Sequence, residues 1–213
     1  MLKDNDVFYS RTDLRMFIDK CRADAMSKLL SAFSDVDEAS GHDYILHAAA
    51  KLKVSPLNTE QLIKDYPELV HHSYPEDSPN ASLPLHLAAA AVGSDDHVDR
   101  VKVILRAYPD AIKLFNEHQL LPMQIALIHG ADYDVMKLLI DAYQPALEYP
   151  FLPSSETIPT EFLPIIGMLP FHIACCRNYS LAVIFTLLVE SPDTLASANC
   201  THELTASLEK LTM

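Results

Sequence analysis

Apolar positions recur along this chain with the period of a helix, four times over. Val101, Ile104, Leu105 and Tyr108 stand at i, i+3, i+4 and i+7, one face of a helix. The same frame gives Met136, Leu139, Ile140 and Tyr143 further on. It gives Thr59, Leu62, Ile63 and Tyr66 before, and Ile184, Leu187, Leu188 and Ser191 last. Pro67, Pro109 and Pro192 follow directly, and Pro145 one residue later. A residue before proline avoids the helical region, so each helix is predicted to stop there. Val70, Ile112, Leu147 and Leu195 lie four residues after each last anchor and are expected to tuck an exit strand under the next unit.

A second, shorter pattern precedes each of these helices. Leu83–Ala90 reads Leu-Pro-Leu-His-Leu-Ala-Ala-Ala. Related stretches run Tyr44–Ala50, Leu121–Leu127 and Leu169–Cys175, so the starts are roughly 40 residues apart, a repeat period typical of stacked arrays. Proline suits the first turn of a helix, where its missing N–H has no intrahelical partner, and small alanines allow close helix approach. From the His or Gln of this stretch to the closing proline is 20 to 23 residues in every copy. The repeated unit is therefore a helix–turn–helix, and the variable part is the connector. Connector 146–168, with Pro150, Pro153, Pro159 and Pro164, is too long to be a passive link.

The ends of the chain lack the full pattern. Leu14, Phe17, Ile18, Cys21, Ala25 and Leu29 fall at helical spacing behind a capping-box candidate at Ser10 or Thr12. Residues 1–40 are read as an N-terminal capping helix, because the end of a stack needs covering. Residues 41–213 hold about four repeats and a degenerate C-terminal half-repeat near Glu203–Thr205.

Composition narrows the function. The net charge is −13 and no segment is basic, which argues against a nucleic-acid surface. No run approaches the roughly 18 apolar residues of a membrane span, and the first residues lack a signal-peptide core. Four cysteines at irregular spacing point to reduced thiols and an intracellular home, cytoplasmic first with the nucleus as the alternative. Only four glycines accompany fourteen prolines, so helices are expected to end mostly on proline and not on left-handed glycine, and a glycine-rich phosphate cradle has no candidate. The recurring His47, His86 and His172 read as structural anchors that hydrogen-bond backbone in the turn or the adjacent repeat. Gln124 takes the third copy, and an amide replaces a hydrogen bond but hardly a general base. Cys175, Cys176, Cys200 and His202 lack the Cys-x-x-Cys spacing of a zinc site. No catalytic residue, metal or cofactor is assigned.

These residues resemble the ankyrin repeat family, whose inner-helix motif Thr-Pro-Leu-His-Leu-Ala-Ala is matched closely at Leu83–Ala89 and more loosely in the other copies. Leucine stands where threonine is usual, and the family's Gly-Ala-Asp ending is replaced by Tyr-Pro. The resemblance implies an all-α solenoid of stacked helix–turn–helix repeats over about 41–205, with Asn116–His118 the one place where a β-hairpin finger fits. It implies a non-catalytic module that binds a protein partner on the concave face; the alternative is an enzyme or regulatory subunit with its site in the irregular connectors. Carried onto this sequence, the family's contact positions give Lys51, Asn80, Ser82, Glu117, His118, Leu120, Ile128, His129, Ile166, Met168 and Arg177. The later of these form an apolar half-face. It is either an open interaction patch or is covered by connector 146–168 through Phe151, Leu152 and Phe162.

Overall fold

The computed structural model describes residues 45–73, 82–116, 118–152 and 164–196. The N-terminal helix expected within 1–40 and the C-terminal half-repeat lie outside these residues. Eight α-helices are present and no β-strand occurs among the described residues. We number them α1 Ile45–Lys51, α2 Pro56–Asp65, α3 Pro84–Ala90, α4 His97–Ala107, α5 Pro122–His129, α6 Tyr133–Ala142, α7 Pro170–Cys176 and α8 Leu181–Glu190.

The helices pair in sequence, α1 with α2, α3 with α4, α5 with α6 and α7 with α8. The short helices also pack on one another in order, α1 on α3, α3 on α5 and α5 on α7; the longer ones do the same, α2 on α4, α4 on α6 and α6 on α8. The result is two rows of helices. The short row carries the small residues its closeness demands: Ala48, Ala49, Ala50, Ala88, Ala89, Ala126 and Ala174 are all buried. The longer row supplies bulk. Val101, Ile104, Leu105, Met136, Leu139, Ile140 and Leu187 are buried as the helical frame predicts, whereas Leu62, Ile63, Ile184 and Leu188 at the two ends are only half-buried. One apolar cluster runs from Ala50 to Leu187, and a smaller one gathers Ile45, Leu46, Leu69 and Val70, with Ile63 and Tyr108 touching both.

Each long helix stops at the residue where proline, or a residue beside it, forces a change. Tyr66, Tyr108, Tyr143 and Ser191 share one extended backbone conformation, with φ between −139° and −154°. A single 3-10 turn follows in every copy: Pro67–Val70, Pro109–Lys113, Gln144–Glu148 and Pro192–Ala196. It is this turn, not the expected exit strand, that buries Val70, Ile112 and Leu147. Proline's fixed φ and missing N–H fit the start of such a turn and would break a strand ladder.

The short helices end differently from expectation. Lys53, Gly130 and Asn178, each six residues after the motif His or Gln, all have positive φ. The next residue then donates its N–H back to the helix: Val54 to Ala49 O, Ala131 to Ala126 O and Tyr179 to Ala174 O, each at 3.0 Å. This is the left-handed closure that satisfies the last carbonyls of a helix. Glycine is scarce, so lysine and asparagine adopt the conformation in two copies, asparagine at the lower steric cost.

Candidate functional site

The recurring polar residue occupies the third position of its helix, and in α3 and α5 it faces backbone on both sides. In α3 the Leu83 N–H donates to His86 Nδ1 at 3.1 Å, and His86 Nε2 lies 3.0 Å from Leu114 O. A ring nitrogen that accepts from an N–H is unprotonated, so Nε2 carries the proton and donates to Leu114. In α5 the glutamine does both jobs: Leu121 N–H donates to Gln124 Oε1 at 3.0 Å, and Gln124 Nε2 donates to Tyr149 O and Pro150 O at 3.1 and 3.2 Å. His47 Nε2 sits 2.9 Å from Ser82 O, in the segment that leads to α3. His86 and Gln124 each clip the start of their own helix to the connector that follows the pair, and His47 reaches its connector through Nε2. Both buried ring nitrogens of His172 lack a hydrogen-bond partner among the described residues.

Electrostatics agrees with the geometry. Burial lowers His47 and His86 from 6.5 to about 4, against the opposing pull of the backbone carbonyls they face. His97 and His172 are lowered by burial as well. These imidazoles are neutral near pH 7, and His47, His86 and His97 are engaged with backbone, a poor arrangement for a general base or a nucleophile's partner.

The α3–α4 pair closes without the left-handed turn of its neighbours. It holds the longest His-to-Pro span of the four, and the added residues move its only positive-φ residue to Gly93, one place later than in the others. Two side chains from α4 take the helix-end carbonyls instead. His97 Nε2 lies 3.0 Å from Ala88 O; Arg100 Nη2 donates to Ala91 O at 3.4 Å and to Ser94 Oγ at 2.8 Å, and its Nη1 to Val54 O at 3.4 Å. Arg100 is fully buried, and burial lowers its pKa. No motif in the sequence marks His97 or Arg100; the extra length between His86 and Pro109 is the available signal. At the α5–α7 contact, Arg177 Nη1 donates to Ile128 O and Tyr179 Oη to Leu127 O, both at 2.7 Å.

The connectors form an edge along the starts of the short helices. Asn116 makes a closed turn there: its N–H donates to Leu120 O, and Leu120 N–H donates to Asn116 Oδ1. This turn occupies the place where a finger was expected, without strands. Leu114, Phe115, Tyr149 and Leu152 are exposed along the same edge, and the Phe115 and Tyr149 rings meet edge-to-face with centroids 5.5 Å apart. The long connector closes at its base, where Phe151 N–H donates to Met168 O and Gly167 N–H to Phe151 O.

The expected contact residues are scattered in burial. Lys51 and His129 are exposed, and His118, Ile166 and Arg177 are half-buried. Ser82, Leu120, Ile128 and Met168 are buried, which takes their side chains off the accessible surface. They are packed for a physical reason: Phe151 is buried in the same apolar cluster as Ile128 and Met168, with Ile166 packed against it. The apolar half-face is therefore filled, and Leu152, expected to help cover it, is exposed instead. Asn80, Glu117 and Phe162 lie outside the described residues, as do Cys200 and His202.

No group of three or more His, Cys, Asp or Glu placed to hold a metal ion occurs among the described residues, and no described helix is long and apolar enough to cross a membrane. No protein-family model, curated protein or solved structure matches the chain.

Proposed function

We propose that this chain is a non-catalytic, intracellular protein-interaction module, an ankyrin-like solenoid whose connector edge and short-helix ends contact a protein partner. The observation that carries this reading is the fate of the recurring polar residue. His86 and Gln124 spend both of their hydrogen-bonding ends on backbone, so the chemistry that repeats along the chain serves the scaffold. A scaffold of this kind leaves function to the surface it displays.

The surface that fits is the edge bearing Phe115, Tyr149 and Leu152, with His118 as a connector residue and with exposed Lys51 and His129 at the C-terminal ends of α1 and α5 as further polar contributors. Tyrosine and phenylalanine held in a ring pair offer large contact area with little entropy left to lose. The test is cross-linking and affinity capture with the intact chain, beside a Phe115→Ser/Tyr149→Ser variant of unchanged circular dichroism. The reading expects a defined set of partners that the variant loses. Partners that bind both proteins equally, or none at all, would contradict it.

A further inference from the structure

The outward positions of the four long helices can be compared by counting back from Tyr66, Tyr108, Tyr143 and Ser191. Six and two residues before these anchors stand Glu60 and Lys64 on α2, Lys102 and Arg106 on α4, and Lys137 and Asp141 on α6. All are charged, and Glu60–Lys64 and Lys137–Asp141 form ion pairs along their helices. On α8 the same two positions are Phe185 and Val189. Leu181, one turn earlier, completes a stripe at i, i+4 and i+8 whose members are 84%, 67% and 58% exposed.

Regular stacking does not account for this stripe. A neighbouring long helix covers the positions seven and three before the anchor: Met136 and Ile140 on α6 are buried beside α8. Under the same neighbour Lys137 and Asp141 stay at the rim, with side chains 37% and 55% exposed. A helix continuing the row past α8 would cover Ile184 and Leu188 and leave Phe185 and Val189 half-open. The apolar residues at these two positions call for a cover lying outside the row.

We propose that the cover is a second copy of this chain, with α8 packed antiparallel on α8 about a two-fold axis at Phe185. The stripe is symmetric about its aromatic centre, so the axis sets Phe185 on its counterpart and each Leu181 on the other copy's Val189. Such self-complementarity is what an isologous contact requires. Ridges of i±4 spacing interdigitate at a crossing angle of about −50°, which keeps the two acidic bodies apart outside the contact. Charge points the same way. In a chain of net charge −13, α8 carries one ionisable side chain, Glu190, fewer than any other long helix, so like-charge repulsion is least along this one of the long helices. Stable dimers bury about 800 Å² per partner, and this stripe with its flanks supplies roughly half of that, so the dimer is concentration-dependent and not obligate.

Sedimentation velocity on the full chain tests the proposal. The weight-average mass should rise toward twice the monomer between about 1 and 500 µM. Phe185→Lys and Phe185→Glu should each remain monomeric over the same range, because like charges would meet at the axis. An equimolar mixture of the two should associate again, which only a contact of residue 185 with its own counterpart allows. A wild-type chain that stays monomeric throughout overturns the proposal; reduced thermal stability in Phe185→Lys would then assign the stripe to an intramolecular cover. Association that survives both single variants, or a mixture that stays monomeric, overturns it as well.

Discussion

The turns α5–α6 and α3–α4 solve one problem by two routes. Both must satisfy the carbonyls at the end of a short buried helix. In α5–α6 the backbone does it: Gly130 turns left-handed and Ala131 N–H returns to Ala126 O. In α3–α4 side chains do it, with His97 on Ala88 O and Arg100 on Ala91 O. The fold constrains where donors must arrive, not which atoms bring them. The same lesson holds for the clip at the helix start, where His86 and Gln124 deliver the same pair of hydrogen bonds.

The comparison predicts where the two pairs should behave alike and where they should part. Packing is common to both, so Ile104→Ala in α4 and Leu139→Ala in α6 should each cost about 2 to 5 kcal/mol in urea unfolding. Both side chains are buried at equivalent positions. Since neighbouring units are coupled in a stack, the loss should appear first as local opening in hydrogen exchange. A large cost in one and almost none in the other would break the equivalence of the two pairs.

The turns themselves should respond by different amounts. Arg100→Ala should cost about 2 to 4 kcal/mol, from lost packing and from the Ala91 and Val54 carbonyls left without their donor. At the equivalent place in α6, Val135 has no polar duty, and Val135→Ala should lose only the smaller amount that its packing represents. An Arg100→Ala variant as stable as the wild type would show that Arg100 is a bystander.

Smaller effects should follow the left-handed positions. Gly130→Ala should cost about 1 kcal/mol from backbone strain alone, since a Cβ there would meet nothing within 4 Å. Conversely, Lys53→Gly should gain a few tenths to about 1 kcal/mol, because lysine now holds an unfavourable φ of 59°. Thermal unfolding of the two single variants reads both signs.

Much of this architecture was legible in the sequence because it rests on period and proline. The face Val101, Ile104, Leu105 is fixed by the helical repeat, and the ends at Tyr66, Tyr108 and Tyr143 by the prolines that follow. What escaped was conformation that no side chain announces. Lysine at position 53 gives no sign of the left-handed turn that glycine at 130 suggests, and asparagine at 178 gives only a weak one. Long-range pairing was equally hidden: Arg100 reaches Val54, far off in sequence, and a charged residue inside an amphipathic helix normally reads as solvent-facing. The candidate surface was the least legible part. The contact positions implied by the ankyrin resemblance include Ile128 and Leu120, and tertiary packing buries both, while Phe115 and Tyr149 stand in two connectors that no motif marks.

The His or Gln at the third position of α3 and α5 is a neutral scaffold clip, and one set of urea titrations on wild type, His86→Gln and His86→Leu at pH 7 and pH 4.5 tests this role. At pH 7 glutamine should hold stability within about 1 kcal/mol of wild type, and leucine should lose about 1 to 3 kcal/mol by stranding the Leu83 N–H and Leu114 carbonyl. The acid response has a definite sign. Above pH 6.5 His86 is neutral folded and unfolded and contributes nothing to the slope. As pH falls from 6.5 toward 4 only the unfolded chain takes the proton, so stability drops, and the drop levels off below about 4. One such histidine removes roughly 3 kcal/mol over that window, and His47 adds a similar loss. His86→Gln should therefore narrow the gap between pH 7 and pH 4.5 by the share that His86 contributes. A glutamine variant as unstable at pH 7 as the leucine variant, or one with the full acid slope of the wild type, would contradict the account.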